Sequence, residues 1–185
     1  QRLFATEAAN LRLFGYGVKA FTLSMIETAI EISGGGVPAG VIAQIIDAGK
    51  AMLDHPVELF EGVEATLADL ADRYRLMLIT KGDLFHQESK LAQSGVGDRF
   101  WRIAIVGEKD VITYRRVLAD HDIAPERFVM VGNSVRSDVA PVLEIGGWGV
   151  HVPYELTWAL EAGEVDPAHP RALRIERLSE LPALL

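Results

Sequence analysis

Four short, largely apolar runs that alternate with helix-like segments constrain the fold of this chain more than any other feature. The runs cover residues 75–79, 102–106, 128–131 and 148–152, and a further short run lies near residues 173–175. Apolar runs of this length, without a polar residue at every second position, are typical of strands that are covered on both faces. Their alternation with helices predicts an α/β fold, a Rossmann-like parallel sheet with helices on both faces.

The first part of the chain has only helical patterns. Apolar residues recur at helical spacing over residues 21–32 and again over residues 41–53, which predicts two amphipathic helices. A proline ends the second pattern, and the strand–helix alternation begins just after it. We therefore expect two domains, a small all-helical one over residues 1–56 and an α/β core over residues 57–185. The helical pattern is already under way at Gln1, so we expect the start of the helical domain to be truncated.

The composition excludes several classes of function. The chain of 185 residues has no cysteine, which excludes disulfides, thiolate metal sites and a cysteine nucleophile and fits a cytoplasmic location. Its formal net charge of −8 argues against general nucleic-acid binding, because a phosphate backbone attracts a basic surface. No apolar run approaches the roughly 18 residues that a membrane span requires. We therefore expect neither nucleic acid nor membrane among its partners.

Polar side chains follow the first two apolar runs. Thr80, Lys81 and Gly82 come directly after the first run, and Lys109 lies just past the second. Ligands of parallel α/β sheets bind beyond the carboxyl ends of the strands. A hydroxyl and two peptide N–H groups at that place suit a phosphate, and an ammonium suits a transferring phosphoryl group. Each residue also has a plainer interpretation, in which Thr80 ties off a loop backbone and Lys109 lies on the surface.

A longer polar stretch follows the third run and contains Asn133 and Asp138. Amide and carboxylate oxygens suit magnesium, which takes one or two carboxylates and keeps several waters. The alternative is that Asn133 supports a turn and that Asp138 caps the helix expected over residues 138–145. The five histidines are scattered without a close pair, so we do not expect a zinc site.

Taken in order, these stretches resemble the motifs of the haloacid dehalogenase-like hydrolase superfamily, whose members are mostly phosphatases. Residues 78–82 resemble its second motif, Lys109 within residues 107–110 resembles its third, and residues 131–138 resemble its fourth, metal-binding motif. The helical domain then resembles the cap that this superfamily inserts after its first core strand.

The resemblance implies roles for the residues at the strand ends. Thr80 and Lys109 are the catalytic candidates, because both hold phosphoryl oxygens in the family, and Lys81 and Gly82 complete the substrate-binding loop. The cap excludes water and selects the substrate. The cap side chains that could contact a substrate, and that could equally be plain surface residues, are Arg12, Tyr16 and Lys19.

The fourth motif implies a magnesium ion held by Asp138 and Asn133. The family often has an aspartate where this chain has Asn133, and one fewer negative charge weakens magnesium binding. The first motif of the family, Asp-x-Asp-x-Thr, has no match in the chain. In the family it carries the nucleophile and the general acid/base at the end of a central strand. We therefore expect that motif upstream of Gln1, and we expect the α/β core over residues 57–185 to lack its first strand.

The function that the resemblance implies is magnesium-dependent hydrolysis of a small phosphorylated metabolite through an aspartyl-phosphate intermediate. One alternative is a metal-independent 2-haloacid dehalogenase, but that branch has Ser-Ser-Asn-x-x-Asp at its fourth motif, and Val135 occupies the place of the asparagine in this chain. A second alternative is a non-catalytic binding module, since the chain carries no nucleophile. A phospho-receiver domain fits least, because it lacks a helical cap. The substrate and the oligomeric state stay open, a homodimer included.

Overall fold

The computed structural model describes residues 1–166 and 168–185. The helices are α1 (Arg2–Phe14), α2 (Val18–Ile32), α3 (Ala39–Leu53), α4 (Val63–Arg73), α5 (Leu84–Ser94), α6 (Val111–Ala119) and α7 (Ala140–Glu144). The strands are β1 (Met77–Lys81), β2 (Arg102–Val106), β3 (Val129–Gly132), β4 (Trp148–His151) and β5 (Ala172–Arg174). All five predicted strands are present, and the α/β class is confirmed.

The chain forms two compact units. The first consists of Gln1–Glu58 together with Thr80–Gly97, and the second consists of Leu59–Ile79 together with Asp98–Leu185. The division into a helical cap and an α/β core at residues 56 and 57 stays a prediction. Within the described parts of the chain, no helix has both the length and the apolar character that a membrane span needs.

Polar side chains and a close helix approach hold the first unit together. The amide nitrogen of Asn10 on α1 donates to Ser24 Oγ at 3.2 Å and to Glu27 Oε2 at 2.6 Å, both on α2. A Cβ at Gly49 of α3 would lie 2.4 Å from Thr22 Oγ1 on α2. Glycine at this position therefore lets the backbones of α2 and α3 approach each other.

The strands form two sheets, β1–β2 and β3–β4–β5. In the second sheet the strands are parallel, with Val129 opposite Trp148 and Gly149 opposite Ala172. Parallel strands end at the same edge of a sheet, so the residues that follow β3 and β4 meet at one place. The stretch that resembles the fourth motif, residues 131–138, begins with the last two residues of β3 and continues past this edge.

Buried apolar residues of the second unit form two clusters. The first contains Ile79, Val106, Tyr114, Val117, Met130 and Val142. The second contains Leu70, Val150, Ile175 and Leu181. Full burial of an aliphatic side chain contributes about 1.5–3 kcal/mol to stability, so these clusters fix the strands whose ends carry the candidate residues.

Three predicted helix ends are confirmed. The side chain of Asp83 accepts a hydrogen bond from the His86 backbone N–H at 3.0 Å and so caps the N-terminus of α5. Asp110 accepts one from the Thr113 N–H at 2.8 Å and begins α6. Gly95 ends α5 with a φ of 71°, in the left-handed region that glycine adopts without cost.

The helix expected over residues 138–145 differs from the structure. A wide helical turn covers Val135–Val139, and only then does α7 begin at Ala140. Asp138 does not cap a helix there, because its Oδ2 accepts from the backbone N–H of Ser134, four residues earlier. Pro141 lacks an N–H group and so cannot donate to the carbonyl four residues before it, which prevents a regular α-helix through this stretch.

Candidate active site

The loop that contains Thr80 lies in the first unit. β1 extends through Lys81, so Thr80 and Lys81 are its last two residues instead of following the strand. Gly82 has a φ of +134°, a conformation that residues with a side chain rarely adopt. Gly82 turns the chain from β1 toward Asp83, the residue that caps the N-terminus of α5. The predicted hydroxyl of Thr80 and the predicted peptide N–H groups of Lys81 and Gly82 are therefore consecutive along a strand-to-helix turn.

A glutamine that the sequence did not single out covers this turn. The Thr80 hydroxyl donates to Oε1 of Gln87 at 3.1 Å. The Gln87 Nε2 lies 2.9 Å from the place that a Cβ on Gly82 would occupy. Both Gln87 and Thr80 are half-buried. Glycine at position 82 thus makes room for an amide that contacts the candidate phosphate-binding hydroxyl.

Two of the three cap candidates contact the same turn. The Lys81 ammonium lies 3.9 Å from the centroid of the Tyr16 ring, a cation–π distance. Lys19 Nζ lies 2.9 Å from Asp83 Oδ2. The hydrogen bond from Lys19, followed by the one from the His86 backbone, lowers the pKa of the Asp83 carboxyl from its ordinary value. Tyr16 in the α1–α2 turn and Lys19 in the first turn of α2 therefore hold the strand-to-helix turn through one aromatic and one ionic contact.

In the second unit, the structure brings Lys109 and Asp138 together. Lys109 Nζ lies 2.7 Å from Asp138 Oδ1, and their side chains are only 12% and 5% exposed. The other oxygen of Asp138 accepts from the Ser134 N–H at 3.0 Å. A buried ion pair loses several kcal/mol of hydration for each ion. Its position just past β2 and β3, where ligands of such sheets bind, favours a functional role over a stabilising one.

Two further residues fix the position of Asp138. A Cβ at Gly132 would lie 2.1 Å from Asp138 Oδ2, so the carboxylate packs directly on the backbone at the end of β3. Tyr114 is fully buried, and its hydroxyl donates to the Ser137 carbonyl at 2.9 Å. Pro141, four residues later, has no N–H group that could donate to this carbonyl. Burial raises the pKa of the Tyr114 hydroxyl, which therefore stays a hydrogen-bond donor.

Asn133 has a partner outside its own loop. Its Nδ2 donates to Thr157 Oγ1 at 2.9 Å. The neighbouring Ser134 hydroxyl lies 2.5 Å from Glu161 Oε2, and Arg136 donates to the Leu160 carbonyl at 2.8 Å. Residues 157–161 are therefore tied along the loop that follows β3. The role of Asn133 as a metal ligand stays a prediction.

The donor set of this loop fits part of a magnesium shell. Asp138 offers one carboxylate, and the amide oxygen of Asn133 is a second hard ligand of the type that Mg²⁺ accepts alongside water. Lys109 neutralises part of the charge of Asp138, so the loop attracts a cation less than an unpaired carboxylate would. Across residues 1–166 and 168–185, no three His, Asp or Glu side chains gather into a metal-binding group.

The candidate residues are thus distributed over both units. Thr80 and its two successors lie in the first unit, whereas Lys109, Asn133 and Asp138 lie in the second. The meeting of the two groups in one pocket stays a prediction. Gln87 and Tyr114 carried no signal in the sequence, because each acts through a contact that only the folded chain creates.

Comparison with solved structures gave a close match over the whole chain. A haloacid dehalogenase-like family hydrolase from Xanthomonas campestris is 51% identical, with a TM-score of 0.89. The match covers 100% of this chain and 74% of that one. A scan of protein-family models and a search of curated proteins gave no match.

More distant solved structures share the fold. A 2-haloacid dehalogenase from Pseudomonas syringae is 19% identical, with a TM-score of 0.64, and the match covers 99% of this chain and 79% of that one. A predicted phosphoglycolate phosphatase from Haemophilus somnus is 14% identical, with a TM-score of 0.66 and coverage of 99% and 90%. A HAD-hydrolase from Bacillus subtilis, solved bound to magnesium, is 17% identical, with a TM-score of 0.60 and coverage of 98% and 92%.

The neighbours below 25% identity establish the fold alone, and they include both dehalogenases and a phosphatase. The Xanthomonas protein establishes the family, because half of its matched residues are identical over the whole of this chain. The chain belongs to the haloacid dehalogenase-like family of hydrolases.

Proposed function

We propose that this hydrolase is a magnesium-dependent phosphatase that acts on a small phosphorylated metabolite. The observation that carries the proposal is the buried contact of 2.7 Å between Lys109 and Asp138 just past β2 and β3. An ammonium held in a poorly hydrated place by a single carboxylate is suited to accept a second anion. Electrostatic stabilisation of a phosphoryl group is worth most where water is excluded.

In this proposal, the residues that the family resemblance singles out bind the phosphoryl group. The Thr80 hydroxyl and the peptide N–H groups of Lys81 and Gly82 donate to its oxygens. Lys109 balances its charge. The nucleophile is an aspartate upstream of Gln1, as the family resemblance implies, which attacks phosphorus and releases the alcohol, and water then hydrolyses the aspartyl-phosphate. These residues contribute mainly by position and charge, which suffices because the chemistry of phosphoryl transfer demands little else from the protein.

Asp138 and Asn133 would hold the magnesium ion. Such an ion neutralises charge on phosphoryl oxygens. Because Lys109 shares the carboxylate of Asp138, we expect the ion to bind weakly in the absence of a phosphorylated substrate and more tightly in its presence.

Phosphate release by the full-length protein tests the proposal. We expect a panel of small phosphomonoesters to be hydrolysed with Mg²⁺ and not with EDTA. Asp138→Asn should lose the magnesium-dependent rate while it keeps its circular dichroism spectrum. Asp120→Asn, an exposed carboxylate after α6, is the matched control and should keep the rate. A wild-type rate in Asp138→Asn, or full activity in EDTA, would contradict the magnesium assignment.

A metal-independent 2-haloacid dehalogenase is the second candidate. The observation that favours it is that Asp138 is already paired with Lys109 and that Asn133 is bonded to Thr157, so the loop offers little free negative charge to a cation. Release of chloride from 2-chloropropionate in EDTA, without release of phosphate from any ester, would select this candidate. Absence of both reactions in the full-length protein would instead favour a non-catalytic module.

A further inference from the structure

We infer that Gln87 is a positioning residue that sets the affinity of the Thr80 turn for an oxyanion by directing the proton of the Thr80 hydroxyl. The inference rests on the proposed function, because it concerns the same phosphate-binding turn. Gln87 lies seven residues after Thr80, in α5, and outside residues 78–82, the stretch that resembles the second motif.

The first step of the argument is the hydrogen bond itself. A hydroxyl has one proton to donate, and here that proton points to Gln87 Oε1 at 3.1 Å. The other acceptor within reach, the Lys81 carbonyl, is 3.5 Å away, at the limit of a hydrogen bond. The Thr80 hydroxyl is therefore committed to Gln87, and it must turn before it can donate to a phosphoryl oxygen.

The second step is the chemistry of an amide. The Gln87 amide has an acceptor oxygen on one side and an NH₂ group with two donor hydrogens on the other. Rotation by half a turn about the last side-chain bond exchanges them. In the first orientation Gln87 accepts from Thr80. In the second it donates to the Thr80 oxygen, so that the hydroxyl proton is free to bind an anion.

The third step is the place of the amide in the turn. Gln87 Nε2 already occupies the place where any residue other than glycine at position 82 would carry its Cβ. The amide therefore lies directly on the turn, next to the peptide N–H groups that would bind the same anion. The backbone N–H of Gln87 donates to the Asp83 carbonyl at 2.9 Å. The first turn of α5 therefore fixes the position of the Gln87 backbone relative to Thr80.

Substitution of Gln87 in the full-length protein tests the inference. Gln87→Met keeps the shape but can neither accept nor donate, and Gln87→Glu accepts from Thr80 but cannot donate when ionised. Gln93→Met is the matched control, because Gln93 is exposed on the same helix and its amide donates to Ser89, away from the turn. The probes are p-nitrophenyl phosphate as substrate and inorganic phosphate as competitive inhibitor, with phosphate binding also measured by calorimetry.

Gln87→Met loses the N–H group that would donate to the Thr80 oxygen and direct the hydroxyl proton to the anion. We expect it to raise KM and the inhibition constant of phosphate by up to about tenfold, the upper end for one hydrogen bond between neutral groups, with kcat changed by less than about threefold. Gln87→Glu should raise both constants further, because it adds a negative charge beside the anion. The control should match the wild type. Unchanged KM and phosphate affinity in both Gln87 variants would overturn the inference alone. A wild-type protein that neither binds phosphate nor hydrolyses the ester would overturn the proposed function and this inference with it.

Discussion

The Tyr114 hydroxyl lies 2.9 Å from the carbonyl oxygen of Ser137, immediately before Asp138 in the chain. Pro141 has no N–H group to offer that carbonyl, so a buried side chain of α6 supplies the donor from 23 residues away. The hydroxyl thereby stabilises the wide turn that directs Asp138 toward Lys109. A tyrosine of the core thus helps to position a candidate site residue through the backbone of its neighbour.

Tyr114→Phe is expected to lower the free energy of unfolding by about 1–3 kcal/mol, because it removes the hydroxyl donor to a buried carbonyl. Urea denaturation measures the change. Tyr74→Phe is the matched control, since the Tyr74 hydroxyl also donates to a backbone carbonyl, that of Leu185 at 2.6 Å, but at an exposed position. We expect the control to change stability by less than about 0.5 kcal/mol. Equal losses in the two variants would contradict the role assigned to Tyr114.

Gly132→Ala is expected to displace the Asp138 carboxylate, because the added Cβ would lie 2.1 Å from Oδ2 and 2.7 Å from the Asp138 Cβ. Overpacking of this kind costs about 1–3 kcal/mol, and in the full-length hydrolase it should also lower turnover. Gly107→Ala provides the comparison, since a Cβ at Gly107 meets no atom within 4 Å. Thermal unfolding and turnover of both variants check the prediction. A Gly132→Ala protein as stable and active as Gly107→Ala would refute it.

The sequence predicted well whatever depends on local chemistry. The apolar runs placed all five strands, and Asp83 and Asp110 were expected as helix caps because an aspartate before an apolar stretch binds the first free N–H groups. The rule that ligands bind at the carboxyl ends of parallel strands placed Lys109 and Asp138 at the sheet edge, although 29 residues separate them. Their direct contact was not predicted.

What the sequence could not predict depends on tertiary contacts. The helix expected to begin at Asp138 was wrong, because that carboxylate bonds backward to Ser134 and a proline follows three residues later. Gln87 reaches Thr80 only because α5 begins directly after the turn. Thr157 reaches Asn133 across a sequence separation of 24 residues, with α7 and β4 between them. None of these distances is encoded in a short-range pattern of residue types.

Lys19→Met is expected to raise the pKa of Asp83 toward its ordinary value of about 3.8. The hydrogen bond from Lys19 is the largest cause of the lowered pKa, and the backbone bond from His86 remains in the variant. Carbon-detected NMR titration of the Asp83 carboxyl measures the pKa. Lys90→Met is the control. Lys90 lies on α5, the helix that Asp83 caps, and it is not among the groups that lower the pKa of Asp83. A shift of equal size in both variants would contradict the assignment.

The same contact predicts a pH dependence of stability. A carboxyl whose pKa is lowered in the folded state stabilises the fold at pH values above its ordinary pKa, and this stabilisation is lost as the pH falls through the lowered pKa. Asp83→Asn keeps a side chain that can cap α5 but lacks the charge that pairs with Lys19. The wild type should therefore be more stable than Asp83→Asn at neutral pH, with the difference vanishing as the pH falls through the lowered pKa of Asp83. A difference that persists in acid would show that the charge is not its source.

Lys109→Met is expected to destabilise the protein strongly, by about 3–5 kcal/mol, because it leaves the buried carboxylate of Asp138 without its partner. The double variant Lys109→Met/Asp138→Asn should be more stable than Lys109→Met alone, since it removes the unpaired charge together with the ammonium. Lys50→Met is the control, because the pair of Lys50 and Asp47 is exposed and contributes less than about 0.5 kcal/mol. Denaturant unfolding of the four proteins, wild type included, measures the order. A double variant less stable than Lys109→Met would show that Asp138 stabilises the turn through Ser134 more than through its charge, and that the ion pair is not the dominant interaction of this site.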